Sequence, residues 1–323
     1  MNDLIINNFK LLIKQIQYDI DFTTGKKQLK NMFRLKAIST ALKAIEKFTE
    51  KITNSKQLKG IKGIGNGTMR RIDEILTTGK LEEVKINPKE EKYLEYISNL
   101  EEVFGIGRKT AYDLFKTYKV KTVEELKEKY DKKEIELPDN IIKGLKYVNK
   151  IQGNIPRSEI DEIGKFLLET LIEVDSELFG TICGSYRRLT ATSNDVDFII
   201  VHPKNKKNML AKLIKILKNK DFIIDSFTED NVKTKYMGIF HWKTNVLRRI
   251  DIRYIPYESY YTALLYLTGS KNFNRKMRQI AISQDMTLNE YGIYENDKMI
   301  KVNSEKEVFD ILKMEYVSPD KRN

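Results

Sequence analysis

Carboxylates in the second half of the chain have the types and spacing for metal-assisted chemistry. Asp195 and Asp197 stand two positions apart, directly before an apolar run. Residues i and i+2 of a β-strand project from one face, so this spacing predicts two carboxylates side by side on a strand. Carboxylate oxygens are preferred ligands of hard divalent cations such as Mg²⁺. The sequence therefore predicts that this pair holds two such cations.

A glycine and a serine precede the pair at the end of the preceding predicted strand. Gly184 leaves the backbone amides open, and the small hydroxyl of Ser185 can approach phosphate oxygens without a bulky side chain in the way. One hairpin would then carry both features. The combination predicts a site for magnesium and a triphosphate.

A third carboxylate is needed for two-metal phosphoryl transfer, because the catalytic ion must also contact the attacking hydroxyl. Asp251 lies in an alternating stretch and is predicted to face the same side as Arg249 and Arg253, with isoleucines packed behind. An aspartate between arginines on a strand is more often a salt-bridged surface residue. Its fit to the aspartate pair favours the catalytic interpretation.

The elements that must position these residues differ between the two halves of the chain. Residues 1–150 contain apolar positions at helical spacing and almost no proline, so this half is predicted to be all-α. After residues 153–156 a helix is predicted at 160–174, followed by strands at 181–183, 196–201, 235–240 and 249–255. Beyond residue 260 a helix leads into mixed structure, with at most a short polar strand near 299–302. An α+β half is therefore predicted to follow the helical half.

A repeat in the helical half predicts two helix-hairpin-helix motifs. Gly-Ile-Gly tips at 63–65 and 105–107 each precede a predicted helix, at 66–76 and 108–118. The turn amides and the amino end of the second helix form an anion site that grips a DNA backbone without reading bases. A single copy would favour an ordinary helical turn, whereas two copies in one frame favour the hairpins. The predicted DNA contacts here are Lys59, Gly63, Gly65, Gly105 and Gly107.

Composition agrees with a polyanionic partner. The 323 residues include 58 Lys and Arg against 46 Asp and Glu, giving a net charge of +12. One cysteine excludes an intramolecular disulfide, and with two histidines it leaves no set of zinc ligands. No apolar run reaches the roughly 18 residues of a membrane span, and no cleavable signal is evident. We expect a soluble intracellular protein that uses oxygen-ligated metals and no membrane.

Together these motifs resemble family X DNA polymerases, the DNA polymerase beta family, over essentially the whole length. The matching stretches are 184–188, 195–197, 234–238, 248–256, 265–270, 273–278 and 289–291. The resemblance implies a helical lyase-like DNA-binding domain at 1–86 and a second helical DNA-binding subdomain at 87–150. A catalytic nucleotidyltransferase palm with a mixed sheet would follow at 151–257, then a small α+β nucleotide-selection subdomain at 258–323.

The implied function is template-directed filling of short gaps in DNA repair, by adding dNMP to a primer 3′-hydroxyl with release of pyrophosphate. The implied partners are gapped or nicked double-stranded DNA and dNTPs. The protein is expected to be a monomer in the nucleus or another site of DNA repair. Two Mg²⁺ ions, replaceable by Mn²⁺, are the expected cofactors. Potassium or sodium at hairpin carbonyls is also implied, at Lys59, Ile61, Ile64, Glu101, Val103 and Ile106.

The resemblance also implies roles for individual residues. Asp195 and Asp197 would bridge both metals, and Asp251 would orient or deprotonate the primer hydroxyl. The implied nucleotide contacts are Gly184, Ser185, Arg188, Asn194, Tyr266, Leu267, Gly269 and Asn274. The implied DNA contacts of this half are Lys235, Arg249, Arg253 and Arg278.

Departures from the family pattern surround the phosphate turn and the nucleotide site. Leu189 and Asn194 replace glycines, and Asn154 replaces an arginine that contacts the triphosphate. A weaker grip on the γ-phosphate is expected, with Asn194 able to keep the turn through a positive φ. Leu267 stands where the family has an aromatic residue, and Lys271 stands where it has an acidic residue.

The position of the family's lyase nucleophile holds Arg71. A guanidinium cannot form the Schiff base that removes a 5′-deoxyribose phosphate, because that chemistry needs an amine that can lose its proton. Lys59 and Lys62 are candidate substitutes.

Two other functions stay open from the sequence. A template-independent nucleotidyltransferase would use the same chemistry without a need to hold both strands. A non-catalytic protein that binds DNA breaks would need the hairpins alone, although the three aspartates favour an enzyme.

Overall fold

The structure is a computed structural model that describes residues 2–229 and 232–322. The chain forms two compact units, residues 1–145 and 146–323. The described residues of the first half form seven α-helices. They are α1 (Asp3–Asp21), α2 (Gly25–Lys47), α3 (Asn66–Thr78), α4 (Pro88–Leu100), α5 (Arg108–Tyr118), α6 (Val123–Asp131) and α7 (Asp139–Tyr147). The predicted all-α half is confirmed. The finer division at residues 86, 150 and 257 remains a prediction.

Both Gly-Ile-Gly tips form the predicted tight turns. Gly63 has φ +95° and Gly105 has φ +91°, conformations that L side chains rarely adopt. Gly65 and Gly107 have ordinary negative φ values and stand at the N-caps of α3 and α5, where an added Cβ would meet open space. The first glycine of each tip is therefore required by backbone conformation. The second leaves the amino end of the following helix uncovered.

The first unit is held together by a core on α1 and by a buried polar link. Phe9, Leu12 and Ile16 are fully buried in the core that α1 shares with α2 and α3. At the end of α1, Asp21 accepts two hydrogen bonds from Arg108, at 2.9 and 2.7 Å, and one from the Tyr93 hydroxyl at 2.9 Å. Burial and the neighbouring Asp21 raise the pKa of the Tyr93 phenol. Since Arg108 directly follows the second tip, Asp21 ties that hairpin to α1.

Replacing this carboxylate is expected to destabilise the first unit. The side chain of Asp21 is only 6 % exposed, so Asp21→Asn leaves Arg108 without its bidentate partner in a largely buried setting. We expect a loss of about 1–3 kcal/mol in the free energy of unfolding, measured by denaturant titration. Glu128→Gln is the control, because it breaks an exposed pair with Lys132 and should leave stability at the wild-type value. Equal losses in the two variants would contradict the assigned role of Asp21.

The second unit is built on a mixed five-stranded sheet in the order β2-β4-β7-β6-β5. Strands β4 and β7 run parallel, and the other neighbours are antiparallel. The strands of the described chain are β1 (Ile155–Pro156), β2 (Phe179–Ile182), β3 (Thr192–Ser193), β4 (Val196–Val201), β5 (Ile223–Ser226), β6 (Lys235–His241), β7 (Leu247–Tyr254), β8 (Met286–Leu288), β9 (Ile293–Glu295) and β10 (Lys298–Ile300).

Helices cover the sheet on one face and leave part of the other open. The helices of this half are α8 (Arg157–Val174), α9 (Gly184–Arg187), α10 (Met209–Asn219), α11 (Tyr260–Thr268), α12 (Lys271–Ile282) and α13 (Glu305–Ile311). Phe198 and Ile200 of β4 pack against α8 and α10, whereas Ile199 and Val201 belong to a smaller core with α11. Asp197 lies two residues before Ile199 on β4 and therefore projects from the same face as Ile199 and Val201.

Sequence reasoning did not predict helix α10, the paired strands β1 and β3, strand β5 or the small carboxyl-terminal sheet. Strand β5 lies at the sheet edge and has only four residues, and β8, β9 and β10 form a separate three-stranded sheet where one short strand was expected. The predicted strand at 181–183 lies at 179–182, and that at 249–255 lies at 247–254. The α+β class with a mixed sheet and a small carboxyl-terminal subdomain is confirmed. None of the helices in the described ranges could span a membrane.

Candidate active site

The three aspartates lie at the start of strand β4 and, opposite it, within the parallel strand β7. Asp197 on β4 stands directly opposite Asp251 on β7 in the strand register. Asp195 lies in the bend before β4, so the prediction of both aspartates inside one strand was wrong by one residue. Arg249 closes the group: it forms an ion pair with Asp195, and its Nε lies 3.9 Å from Oδ1 of Asp251. Arg249 therefore lies between the carboxylates of Asp195 and Asp251.

Asp197 and Asp251 are buried carboxylates whose negative charge is only partly balanced by neighbouring cations. Burial, followed by repulsion from Asp251, raises the pKa of Asp197 to about 7. Burial also raises the pKa of Asp251, although Arg249, Lys235 and Arg253 oppose that shift. Within residues 2–229 and 232–322, Oδ1 of Asp251 is buried and has no hydrogen-bond partner. Such groups cost free energy unless a cation joins them.

This donor set fits divalent cations. It offers hard oxygen ligands, an orphaned buried oxygen and a mutual repulsion that a cation would cancel. A Cβ at position 184 would collide with the carboxylate of Asp197, so Gly184 keeps that oxygen accessible. Among the described residues, the three aspartates do not bring one oxygen each within 4.8 Å of one another, and Arg249 pairs with Asp195.

The phosphate turn follows β2 as the short helix α9. Gly184 adopts φ +56°, and the hydroxyl of Ser185 donates to the hydroxyl of Ser193 at 2.7 Å. Leu189 holds φ +60°, so this leucine keeps the left-handed conformation that a glycine adopts readily. Asn194 does not belong to the positive-φ residues of the described chain, and the expectation that it preserves the turn in this way was wrong. Its side chain instead lies against Gly153.

A cavity of about 800 Å³ adjoins these residues. All eight predicted nucleotide contacts line it, together with Asp195, Asp197, Arg253 and Arg278. Of the described residues, Lys235, Arg249 and Asp251 lie outside this lining, at the sheet beside it. Sequence reasoning did not propose Arg275, Gln279 and Ile282, which also line the cavity. Their spacing with Lys271 and Arg278 along α12 is helical, and that periodicity was the signal that could have found them.

The predicted base contacts are held against one another. Asn274 donates to the carbonyl of Tyr266 at 2.6 Å, and the guanidinium of Arg278 lies 4.9 Å from the centre of the Tyr266 ring. Arg278 also lies 3.7 Å from Glu290. On the opposite side of the cavity, Arg188 donates to the carbonyl of Thr268 at 2.6 Å. The side chains that would meet a nucleotide thus already have protein partners.

The hairpins of the first unit present matching turns. The amide of Ile64 donates to the carbonyl of Ile61, and the amide of Ile106 donates to that of Val103, each at 3.0 Å. Lys59 is exposed beside the first turn, and Glu101 caps the helix before the second. The two turns therefore share one geometry. Cation binding to their carbonyls remains a proposal.

A second cavity, of about 460 Å³, lies beside the first hairpin. Arg71 lines it and is fixed by an ion pair with Glu83, which Arg34 also contacts at 2.6 Å. Although burial raises it, these two arginines hold the pKa of Glu83 below its ordinary value. Of the described lysines, Lys36 lines this cavity, and the candidate amines at positions 59 and 62 lie outside its lining.

A further cluster of possible ligands is an ionic network. Asp175, Glu177 and His202 bring three ligand atoms within 4.8 Å of one another. Lys206 and Lys204 already neutralise the carboxylates, at 2.8 and 2.9 Å. The amide of Lys204 donates to Nδ1 of His202, so a neutral imidazole carries its proton on Nε2, the atom that a metal would need. The cluster therefore stabilises the turn after β4.

Sequence comparisons agree with this geometry. The DNA polymerase beta palm matches residues 154–257, the DNA polymerase beta thumb matches 263–323, and a helix-hairpin-helix domain matches 12–81. DNA polymerase lambda of Arabidopsis thaliana is 33 % identical over 88 % of this chain and 56 % of its own length. DNA polymerase lambda of Rattus norvegicus is 27 % identical over 90 % of this chain and 52 % of its own. DNA nucleotidylexotransferase of Xenopus laevis is 27 % identical over 91 % of this chain and 64 % of its own.

A nucleotidyltransferase palm is the class of protein that this sheet and its aspartates define. The matches to palm, thumb and hairpin domains together cover most of the chain. The chain belongs to family X of the DNA polymerases. It spans less than two thirds of the length of these curated relatives.

Proposed function

We propose that this chain is a template-directed DNA polymerase that fills short gaps during DNA repair. The observation that carries the proposal is the pairing of Asp197 with Asp251 across two parallel strands, beside Asp195 and the Gly184 turn. The adjoining cavity has room and basic residues for a nucleoside triphosphate. Family membership supports the same activity. The substrates are dNTPs, and the product strand grows by one dNMP with release of pyrophosphate.

Different residues of the chain would bind the metals, the primer hydroxyl and the leaving pyrophosphate. Two Mg²⁺ ions, which the three aspartates would hold, supply Lewis-acid stabilisation of the entering and leaving oxygens when bound. Asp251 orients the primer 3′-hydroxyl and accepts its proton as the oxygen attacks the α-phosphorus. Ser185 and Arg188 bind the departing pyrophosphate, where negative charge grows. The bond from the α-phosphorus to the bridging oxygen breaks as the new ester forms.

Two residues, Asn154 and Arg188, support a weaker grip on the γ-phosphate than in other family members. Asn154 stands where an arginine would contact the triphosphate, and it adopts φ +55°. Arg188 must exchange its bond with the Thr268 carbonyl for a phosphate oxygen. Tyr266, Leu267 and Gly269 line the cavity and would contact the sugar, while Asn274 would contact the incoming base and Arg278 the template strand.

We further propose gapped or nicked double-stranded DNA as the partner of a monomer at a site of DNA repair such as the nucleus. Lys59 and the glycine tips would contact the backbone through the hairpins, while Lys235, Arg249 and Arg253 would contact the primer region. Potassium or sodium would bridge hairpin carbonyls to phosphate. The net charge of +12 supports a polyanionic partner.

Primer extension tests the function. The wild-type protein, with Mg²⁺ and each dNTP separately, is offered a one-nucleotide gap with a 5′-phosphate, the same gap without it, and an open primer-template. We expect addition of the complementary dNMP, fastest on the phosphorylated gap. Addition indifferent to the template base would instead show a template-independent nucleotidyltransferase. DNA binding without extension would show a break-binding protein.

Borohydride trapping on a pre-incised abasic site tests the first unit. We expect no covalent adduct with the wild-type protein, because the Arg71 guanidinium, paired with Glu83, stands where the family has its amine. Arg71→Lys places an amine in the same cavity and is expected to produce an adduct. Lys62→Ala is the control: an adduct in the wild type that this variant abolishes would show that the exposed lysine acts as nucleophile instead.

A further inference from the structure

Arg187, for which sequence reasoning predicted no role, connects the two sides of the nucleotide cavity. Arg187 is the last residue of α9, directly before Arg188. Its Nη1 donates to the Thr268 hydroxyl at 2.8 Å, while Arg188 donates to the carbonyl of the same threonine at 2.6 Å. Thr268 ends α11 and is completely buried. Two consecutive arginines, Arg187 and Arg188, thus both donate hydrogen bonds to Thr268, the first residue of the turn 268–270 on the sugar side of the cavity.

A buried carboxylate holds Arg187 in place. Glu305 is 7 % exposed and accepts from both terminal nitrogens of Arg187, at 3.0 and 2.5 Å. Glu305 also accepts from Arg322 at 2.8 Å, and Arg322 is fully buried. Burial of this kind fixes side-chain geometry, because an unpaired charge here would be costly. Bidentate pairing further restricts the guanidinium.

The threonine that Arg187 grips leads directly into residues of the cavity wall. Gly269 and Ser270 follow Thr268, and both line the cavity beside Arg188. The amide of Ser270 donates to the carbonyl of Arg322 at 2.9 Å, so the same network touches the turn from two directions. Arg187 itself is outside the lining among the described residues. It can act on a nucleotide only through the turn that it holds.

We infer that Arg187 is a positioning residue that sets the spacing between the phosphate side and the sugar side of the nucleotide site. The inference deepens the proposed polymerase function and rests on it. When the link is lost, the turn of residues 268–270 is free to move away from the phosphate turn. Nucleotide affinity and discrimination against a ribose then fall, while the aspartates and the chemical step are unaffected.

Single-nucleotide gap filling with Arg187→Met and Arg322→Met tests the inference. Both variants remove one arginine from the same carboxylate and leave Glu305 in a neutral pair with the other. For Arg187→Met we expect the KM for dNTP to rise about tenfold, kcat to stay within about threefold and the dNTP-to-rNTP preference to fall about tenfold. For Arg322→Met, which keeps the contact between Arg187 and Thr268, we expect a lower Tm with KM and sugar preference within about twofold. Arg187→Lys should lie between wild type and Arg187→Met, because one amine cannot serve both partners.

Thr268→Val removes the hydroxyl acceptor and completes a double-mutant cycle. If Arg187 acts through Thr268, the double variant has the KM of Arg187→Met alone. Wild-type KM and sugar preference in Arg187→Met, or equal effects of Arg187→Met and Arg322→Met, would overturn the inference.

Hydrogen exchange separates this inference from the proposed function. The amide of Gly269 is expected to exchange faster in Arg187→Met than in the wild type, whether or not the protein extends primers. Unchanged protection at Gly269 would overturn the positioning role by itself. Absence of extension by the wild-type protein would overturn the polymerase proposal, and the exchange rate at Gly269 would still decide whether Arg187 holds the turn.

Discussion

Asp197→Asn is expected to reduce primer extension at least about 1,000-fold and, without metal, to make the protein more stable. The loss of rate follows from removing a ligand that would bridge both Mg²⁺ ions. The gain in stability follows from burial: the carboxylate is held in a site that raises its pKa to about 7. An asparagine carries no charge to desolvate. One substitution should therefore move activity and stability in opposite directions.

The gain should depend on pH in a defined way. A carboxyl whose folded-state pKa lies above its unfolded value near 3.8 binds more protons in the folded state, so its contribution to stability is lost as pH rises through about 7. Metal-free wild-type protein should thus lose up to about 2–4 kcal/mol between pH 4 and pH 8 from this group. Asp197→Asn should show no such loss. Denaturant titrations at pH 5 and pH 8, with and without Mg²⁺, measure the difference.

Asp225→Asn is the matched control on the same sheet. Although burial opposes the shift, Lys146 and Tyr147 hold the pKa of Asp225 down to about 2, so its stabilising effect is present at neutral pH and lost only in strong acid. This variant should be less stable than wild type at pH 7 and should extend primers normally. An Asp197→Asn protein that is destabilised at pH 8, or that extends primers within tenfold of wild type, would contradict the assigned site.

The sequence predicted the composition of the site better than its geometry. The aspartate pair, Gly184 and Ser185 share one short segment, and local spacing was enough to identify them. Asp251 joins them through a parallel strand pairing that no local pattern specifies. The ion pair of Arg249 with Asp195 was missed for a related reason: the alternation placed Arg249 on the correct face but gave no partner across strands.

Sequence reasoning missed the eleven-residue helix α10, and the other elements that it missed are short strands or depend on distant contacts. Strand β5 and the strands β8, β9 and β10 have three or four residues each, too few to show a period of two. The network of Arg187, Glu305 and Arg322 joins residues more than a hundred positions apart. By contrast, α5 begins and ends at the predicted residues, because a glycine tip precedes it and its apolar positions repeat at helical spacing.

Gly184→Ala is expected to reduce kcat/KM for gap filling about 100-fold, equivalent to about 2.7 kcal/mol of transition-state stabilisation. An added Cβ meets the Asp197 carboxylate directly, and φ +56° strains any L residue at this position. Either the carboxylate or the phosphate turn must shift, and both contribute to the same reaction. Single-turnover extension on a one-nucleotide gap measures the chemical step without product release.

Gly180→Ala distinguishes a local effect on the site from general destabilisation. Gly180 lies on β2, where an added Cβ would come within 2.5 Å of the Phe198 ring in the core, on the face of the sheet away from Asp197. We expect Gly180→Ala to lower Tm more than Gly184→Ala does, because the ring is fully enclosed. Its single-turnover rate should remain within about threefold of wild type at a temperature where both proteins are folded. If the two variants lose activity equally, overall stability rather than the position of the Asp197 carboxylate controls the reaction.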